Sequence, residues 1–533
     1  MRSSYKPQAL LALITAAALA PFFNKAFNAD DPLFLWMAQQ IAKHPLNPYG
    51  FDVNWSSFTQ PMSLVMQNPP LCSYFIAAVA SVFGWSEMAL HSAFFFWTVL
   101  SVLGTFALAR RFSREPFIAA LVTIFTPVFL VSATSVMCDV MMLALWLWAL
   151  EFWLAGLGRQ QSWRLLVSAG LISAATLTKY FGICLVPLLA TYTLARGRRF
   201  TVQLIVLLLP LAVLFTYETL TDEAYGHGLF SEAMIISSAV SSLTRPSHLA
   251  QLLTALAFGG GCLISALSFA AFSSKRFCLL TAVGYPVFTA AFYFFVVRGL
   301  HLETSITAVW LEGGLFAAVA AGILALAAID LVKKKRRCSV VVSVARGHVC
   351  FAAFFNWSIT ARTFLPMAPA AAILVVRHLR SFQNIGALKY APLLAAAGVS
   401  ILITIADCSE ANCARTAARL FQERYRAELG KAWVQGHGGF QYYMEQWGAK
   451  PFDRKNPQAV QGGLLIGLFS DTNIAQLSTQ TVAARSESTF SAVPLVSTFR
   501  YGTGAAFYTS LHGPLPWVIN KLPSPRYYAA HVR

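Results

Sequence analysis

A 533-residue chain that is 57% apolar and only 12% charged cannot cover itself with a water-soluble surface. Its long apolar runs read as transmembrane helices, and its formal net charge of +18 comes from short basic clusters between those runs. That distribution fits the positive-inside rule and argues against a nucleic-acid groove, which would need a continuous basic track.

The N-terminus (Arg2, Lys6, then an apolar run to Phe23) resembles a signal peptide, but no clear small-residue cleavage site follows it, so it reads as a retained first helix. Candidate spans fall at roughly 8–27, 88–109, 115–133, 138–157, 163–178, 181–195, 202–220, 248–270, 277–297, 305–331, 338–357, 363–377 and 389–406, about thirteen in all. The apolar stretch from Pro70 to Gly84 would rise only about 22 Å as a helix, short of the roughly 30 Å hydrocarbon core. Treated as an interfacial helix, it leaves every basic cluster on one side: Arg110 to Arg114, Arg159 to Arg164, Arg196 to Arg199, Lys275-Arg276, Lys333 to Arg337 and Arg377 to Lys389. The N-terminus is then expected in the cytoplasm and the loop from Asn28 to Leu71 outside it.

In the span from Cys338 to Trp357, Arg346 and His348 fall near mid-membrane, which is costly unless they face the bundle interior. A structural or registration cause is the favoured explanation. The composition divides the chain into a transmembrane catalytic domain at 1–407, with its catalytic outer loop at 28–87, and a small mixed α/β domain at 408–533 on the outer face. The nine cysteines lack zinc-site spacing, and most act as small hydrophobes in the spans. Cys408 and Cys413 follow the last span and could pair if that region lies outside the cytoplasm.

The residues that could carry chemistry cluster at outer helix ends. In Asp30-Asp31-Pro32, Asp31 suits an N-cap and Pro32 the first helical position, with Leu33, Trp36, Met37, Gln40 and Ile41 giving the amphipathic spacing. Asp30 is left without a structural duty. Asn68-Pro69-Pro70-Leu71 forms a rigid turn that closes the loop. Asp139 lies at an outer helix start, where it could also serve as a cap. Lys179 emerges on the outer face against the positive-inside tendency, as a snorkelling lysine or a phosphate ligand, and Arg362 offers a fork that holds phosphate bidentately. Two carboxylates and two cations so placed suit transfer from a lipid-linked phosphate donor. One carboxylate would be the general base, and the cations would stabilise the departing phosphate.

On these residues the chain resembles the polytopic glycosyltransferases of family 39 and their bacterial relatives, which include protein O-mannosyltransferases and the lipid A aminoarabinose transferase. The likeness runs from about residue 20 to 375, through Asp30-Asp31, Pro69-Pro70-Leu71, Asp139, Leu177-Thr178-Lys179 and Arg362 to Pro366. It implies a GT-C fold, an inverting transfer from a polyprenyl-phosphate sugar to a periplasmic protein, lipid or glycan, and a bacterial inner-membrane location. It also implies Asp30 as base, with Asp31 and Asp139 in the catalytic set and Lys179, Arg362 and Asn68 at the donor phosphate. Members often carry a basic residue or His before Pro-Pro, where this chain has the neutral Asn68. Some GT-C enzymes use a divalent metal, for which Asp30, Asp31, Asp139 and His44 are the available ligands. The stretch Gly436 to Tyr443 looks like a segment found downstream of the bundle in relatives, and packing against the outer loop is its plainest use. The rival readings are a transporter or lipid flippase, for which midplane charges and internal repeats are expected, and a catalytically inactive scaffold.

Overall fold

Proline decides where the bundle's helices break. The expected span at 115–133 is two helices, Pro116–Ile124 and Pro127–Ser132, because Pro127 has no amide hydrogen to continue the ladder. The Thr123 carbonyl that this deprives accepts from the Thr126 hydroxyl, and the Phe125 carbonyl at the break accepts hydrogen bonds from the buried hydroxyls of Ser265 and Ser400. A backbone group at membrane depth needs such a partner, and here two distant helices supply it. After the break the chain stays partly unwound through 133–137 before Cys138–Arg159 begins.

The computed structural model describes residues 6–195, 202–244, 247–272, 275–332, 339–354, 356, 358–379, 390–469 and 482–533. The basic clusters at 196–199 and 333–337, most of that at 377–389, and Trp357 lie outside the described residues. The protein is a polytopic α-helical membrane protein with a C-terminal sheet region. Each of the about thirteen expected spans falls on one or more helices. Among the described residues, six helices are long and apolar enough to cross a membrane by length and composition: Glu87–Phe112, Cys138–Arg159, Gln203–Tyr225, Phe277–Val297, Ile306–Val332 and Ala391–Arg424. Leu71–Phe83 has 13 residues, about 20 Å of rise, too short to cross, and it packs on Asp31–Lys43 and Glu87–Phe112.

The last long apolar helix, Ala391–Arg424, runs on well past Asp407, so Cys408 and Cys413 lie on one helix and both thiols are free. His348 in Ser339–Phe354 is buried against Trp146 and Phe181, whereas Arg346 on the same helix is exposed. The mid-membrane pair is therefore split between two faces, and its arginine does not point into the bundle.

The C-terminal region builds a mixed five-stranded sheet. Trp433–Gln435 runs parallel to both Lys450–Pro451 and Leu464–Leu468, and Arg526–Val532 pairs antiparallel with Leu464–Leu468 and Val482–Thr489. Alternation along Leu464–Leu468 sends Leu464 and Ile466 to the main core and Leu465 to a small outer core with Phe452, Tyr528 and Val532.

This region reaches back to the first outer loop through two glycines. Gly438 adopts φ +60°, and a Cβ on Gly439 would lie 2.0 Å from the Phe27 carbonyl oxygen. Between them the chain presses on Phe27 to Ala29, where Ala29 itself is left-handed at φ +47°. The Phe27 amide donates to Tyr443 Oη at 2.9 Å, completing the clamp. The Gly436 to Tyr443 stretch thus packs against the outer loop, and it fixes the turn that presents Asp30. Gly439→Ala is expected to force that turn aside, with a cost of about 1–3 kcal/mol in stability and at least a ~10-fold loss of activity. Thermal unfolding and turnover of the purified variant check it.

Candidate active site

Four of the charges singled out in the sequence meet in a line. Arg362 Nη2 lies 2.6 Å from Asp30 Oδ2, Arg362 Nη1 lies 3.6 Å from Asp139 Oδ2, and Lys179 Nζ lies 2.6 Å from Asp139 Oδ1. The order Asp30, Arg362, Asp139, Lys179 alternates in sign and sums to zero. Each member comes from a different segment. Asp30 precedes the helix Asp31–Lys43, Asp139 sits in the first turn of Cys138–Arg159, Lys179 ends Ser162–Thr178, and Arg362 lies in the short turn Ala361–Phe364. Asp139 is the buried centre at 3% exposure, while Asp30 at 34% and Lys179 at 25% are the open ends. Burial works against charge on the Arg362 guanidinium, but Asp30 and Asp139 more than offset it and hold its pKa above the ordinary value.

Asp31 corrects the expectation drawn from its sequence context. Its carboxylate does not cap the helix that follows. One oxygen accepts from the Val136 amide and the other from the Asn28 amide, each at 2.9 Å. The unwound stretch after Pro127 and the loop before Asp30 are thereby tied to a single buried side chain, 1% exposed. Burial lifts this carboxyl to about 7, against Lys25 and the two amides, which pull it down. Asp31 holds the site's frame and does not face the cavity.

That cavity has a volume of about 1160 Å³ and is lined by Asp30, Lys179, Arg362 and Asn68 together. One part of its wall is apolar, formed by Phe181, Ile183, Met234, Ile236 and Phe351. Another is polar and aromatic, with Trp55, His437, Arg500, Tyr508 and His512 from the outer loop and the C-terminal region. Asn68 stands apart from the line of charges. Its carbonyl accepts from Tyr49 Oη at 2.7 Å and its amide nitrogen lies 3.8 Å from the Met66 sulfur.

The residues present do not fit a divalent metal. Both Asp31 oxygens are taken by amides, and the oxygens of Asp30 and Asp139 face cations. His44 is exposed at the far end of Asp31–Lys43, about 20 Å along the helix from Asp30. Among the described residues no group of three His, Cys, Asp or Glu side chains is arranged to hold a metal ion.

A buried network behind the site went unread in the sequence. Lys25 Nζ lies 2.5 Å from Asp407 Oδ2, both side chains 1% exposed, and donates to Thr134 Oγ1 at 3.3 Å. Asp407 also accepts from Thr498 Oγ1 at 2.7 Å and from Tyr508 Oη at 3.1 Å. A signal for Lys25 existed: like Lys179, it is a lysine at a helix end on the side that the sequence expectation places outside, where the positive-inside tendency disfavours one.

With this geometry in place, comparison with known proteins is informative. Residues 67–220 match the family model described as dolichyl-phosphate-mannose-protein mannosyltransferase. The chain carries a glycosyltransferase core. The matched part of that core includes Asn68, Asp139 and Lys179 and stops short of Asp30 and Arg362. No curated protein matches the sequence significantly. In the course of its backbone the chain is similar to ArnT from Cupriavidus metallidurans bound to undecaprenyl phosphate, at 14% identity and a TM-score of 0.44, over 88% of this chain and 94% of that one. It is also similar to the archaeal oligosaccharyltransferase AglB from Archaeoglobus fulgidus, in complex with an inhibitory peptide and a dolichol-phosphate. There the identity is 12% and the TM-score 0.46, over 87% of this chain and 70% of that one.

Proposed function

We propose that this glycosyltransferase moves a sugar from a polyprenyl-phosphate donor to an acceptor hydroxyl or amine at the outer face of a bacterial inner membrane. The observation that carries the reading is the line of charges from Asp30 to Lys179 opening on a cavity with one apolar wall and one polar wall. An amphipathic donor needs both: hydrocarbon against Phe181, Ile183 and Phe351, and phosphate beside Lys179 and Arg362. Mannosyltransferase is the description of the matched family, and the lipids bound in the two similar structures, undecaprenyl phosphate and dolichol-phosphate, are of the class proposed here.

In this reading Asp30 takes the acceptor's proton as the acceptor attacks the anomeric carbon. The bond from that carbon to the phosphate oxygen breaks, and its electron pair leaves with the lipid phosphate. Lys179 and Arg362 stabilise the charge that develops there. Asp139 touches no substrate and aims both cations. The neutral Asn68 adds no charge at its corner, so the phosphate rests on two cations. An N-terminus in the cytoplasm, with the 28–87 loop and the 408–533 region outside, completes the proposal, and the sidedness of the basic loops supports it.

The test is direct binding of undecaprenyl phosphate to the purified full-length protein in lipid nanodiscs, followed by transfer of labelled sugar from membrane-extracted polyprenyl-phosphate sugars. Saturable binding that is competed by the labelled donors is expected. A protein that binds neither lipid phosphate nor donor would end the proposal.

A further inference from the structure

Tyr508 lies against the line of charges, yet the proposed chemistry gives it nothing to do. It is buried at 3% exposure and lines the cavity. Its backbone carbonyl accepts from Arg362 Nη2 at 3.4 Å, and its ring lies under the same guanidinium, 5.5 Å from the carbon to the centroid. That spacing is inside the range of about 6 Å for cation–π attraction. At its other end the Tyr508 hydroxyl donates to Asp407 at 3.1 and 3.2 Å, and Asp407 is held by Lys25. One side chain therefore touches two ionic systems, the buried pair behind the site and the exposed line within it.

The backbone around Tyr508 is bound to the turn that carries Arg362. The Ala361 amide donates to the Phe507 carbonyl at 2.9 Å, and the Ser510 amide donates to the Ile359 carbonyl at 2.8 Å. Ser358 and Thr509 share a hydroxyl contact at 2.7 Å. So the segment 507–510 lies alongside 358–361 and moves with it. Within this brace the ring's rotation is set by Asp407, because the phenol hydroxyl must stay on the buried carboxylate. Phe499, edge-on at 5.2 Å, closes the ring from another side.

We propose that Tyr508 is a positioning residue that sets the Arg362 guanidinium, and so decides how that charge is shared between Asp30 and the donor phosphate. The inference rests on the reading that Arg362 meets a lipid phosphate. Arginine has a long and mobile side chain, and its fork is useful only when its plane is fixed. Asp30, Asp139 and the Met137 sulfur, 2.8 Å from Nη1, hold it, and a donor phosphate would compete with the two carboxylates. The carbonyl and ring of Tyr508 stay in place through that exchange, because they are held from behind by Asp407 and Lys25. Through Tyr508 the C-terminal region thus reaches the line of charges itself.

The experiment compares wild type, Tyr508→Phe and Tyr508→Leu as full-length protein in nanodiscs. Undecaprenyl-phosphate affinity, thermal unfolding and the cryo-EM position of Arg362 are read for each. Tyr508→Phe keeps the ring and loses the hydroxyl, and it should weaken lipid-phosphate binding about 3- to 10-fold; Tyr508→Leu loses the ring and should weaken it more than about 10-fold. In Tyr508→Leu, Arg362 should leave its 2.6 Å contact with Asp30. Affinities equal to wild type in both variants, or losses matched by the unfolded fraction, overturn the proposal. If wild type itself fails to bind undecaprenyl phosphate, the functional reading falls separately. The position of Arg362 then decides the brace alone: displaced in Tyr508→Leu supports it, and unmoved refutes it.

Discussion

Asp30→Asn is expected to slow sugar transfer by about 10²- to 10⁴-fold while leaving the protein folded, the usual contribution of a positioned general base. The fold should tolerate it because Asp30 makes no capping hydrogen bond and is one-third exposed. Arg362 keeps Asp139 when its other carboxylate is neutralised. The neighbouring substitution sharpens the test. Asp31→Asn puts an amide nitrogen where a carboxylate oxygen accepts a backbone N–H, so stability falls first and activity follows. Labelled-sugar transfer and thermal unfolding, measured on both variants, separate a base from a strut. An Asp30→Asn protein as fast as wild type would place the base elsewhere.

Lys25→Met should be strongly destabilising, at about 3–5 kcal/mol, because it strands the Asp407 carboxylate without a cation in the interior. The loss is of an ion's partner, not of packing volume, so a second substitution should repair it. Lys25→Met combined with Asp407→Leu removes both charges and should recover most of the unfolding temperature. Activity should not recover in step, since Thr498 and Tyr508 both lose their acceptor on Asp407. Unfolding midpoints of the two variants decide the matter. A double variant as unstable as the single would mean that the pair is not an isolated ionic unit.

What could be read from the sequence follows from contrast. In a chain with so few charges, Asp30, Asp139, Lys179 and Arg362 stand out against apolar surroundings, and a shared membrane side narrows where they can meet. Their meeting order depends on helix rotation, which periodicity within a span does not reveal. Asp31 does not cap its helix because one partner amide belongs to Val136, in the unwound stretch that follows the Pro127 break, which the sequence pattern does not reveal. Tyr508 carries no signal of its own, since a tyrosine in a polar tail is ordinary, whereas Gly439 lies in the Gly436 to Tyr443 stretch that the family likeness marks. The small C-terminal sheet was legible in its alternation, but the length of the last helix was not. Ala391–Arg424 continues beyond the apolar run because its later turns are covered by protein from the C-terminal region.

The pairing of Lys25 with Asp407 also has a meaning in time. The two residues are 382 positions apart. At about 5–20 residues per second, the lysine emerges roughly 20–75 s before its carboxylate is made. For that interval Lys25 lacks its buried ion-pair partner, and the turn that presents Asp30 lacks its glycine clamp. The site as described is therefore not yet assembled through most of the chain's synthesis. It becomes competent only when the last helix enters and the tail folds back, so a prematurely terminated chain would occupy the membrane without consuming donor.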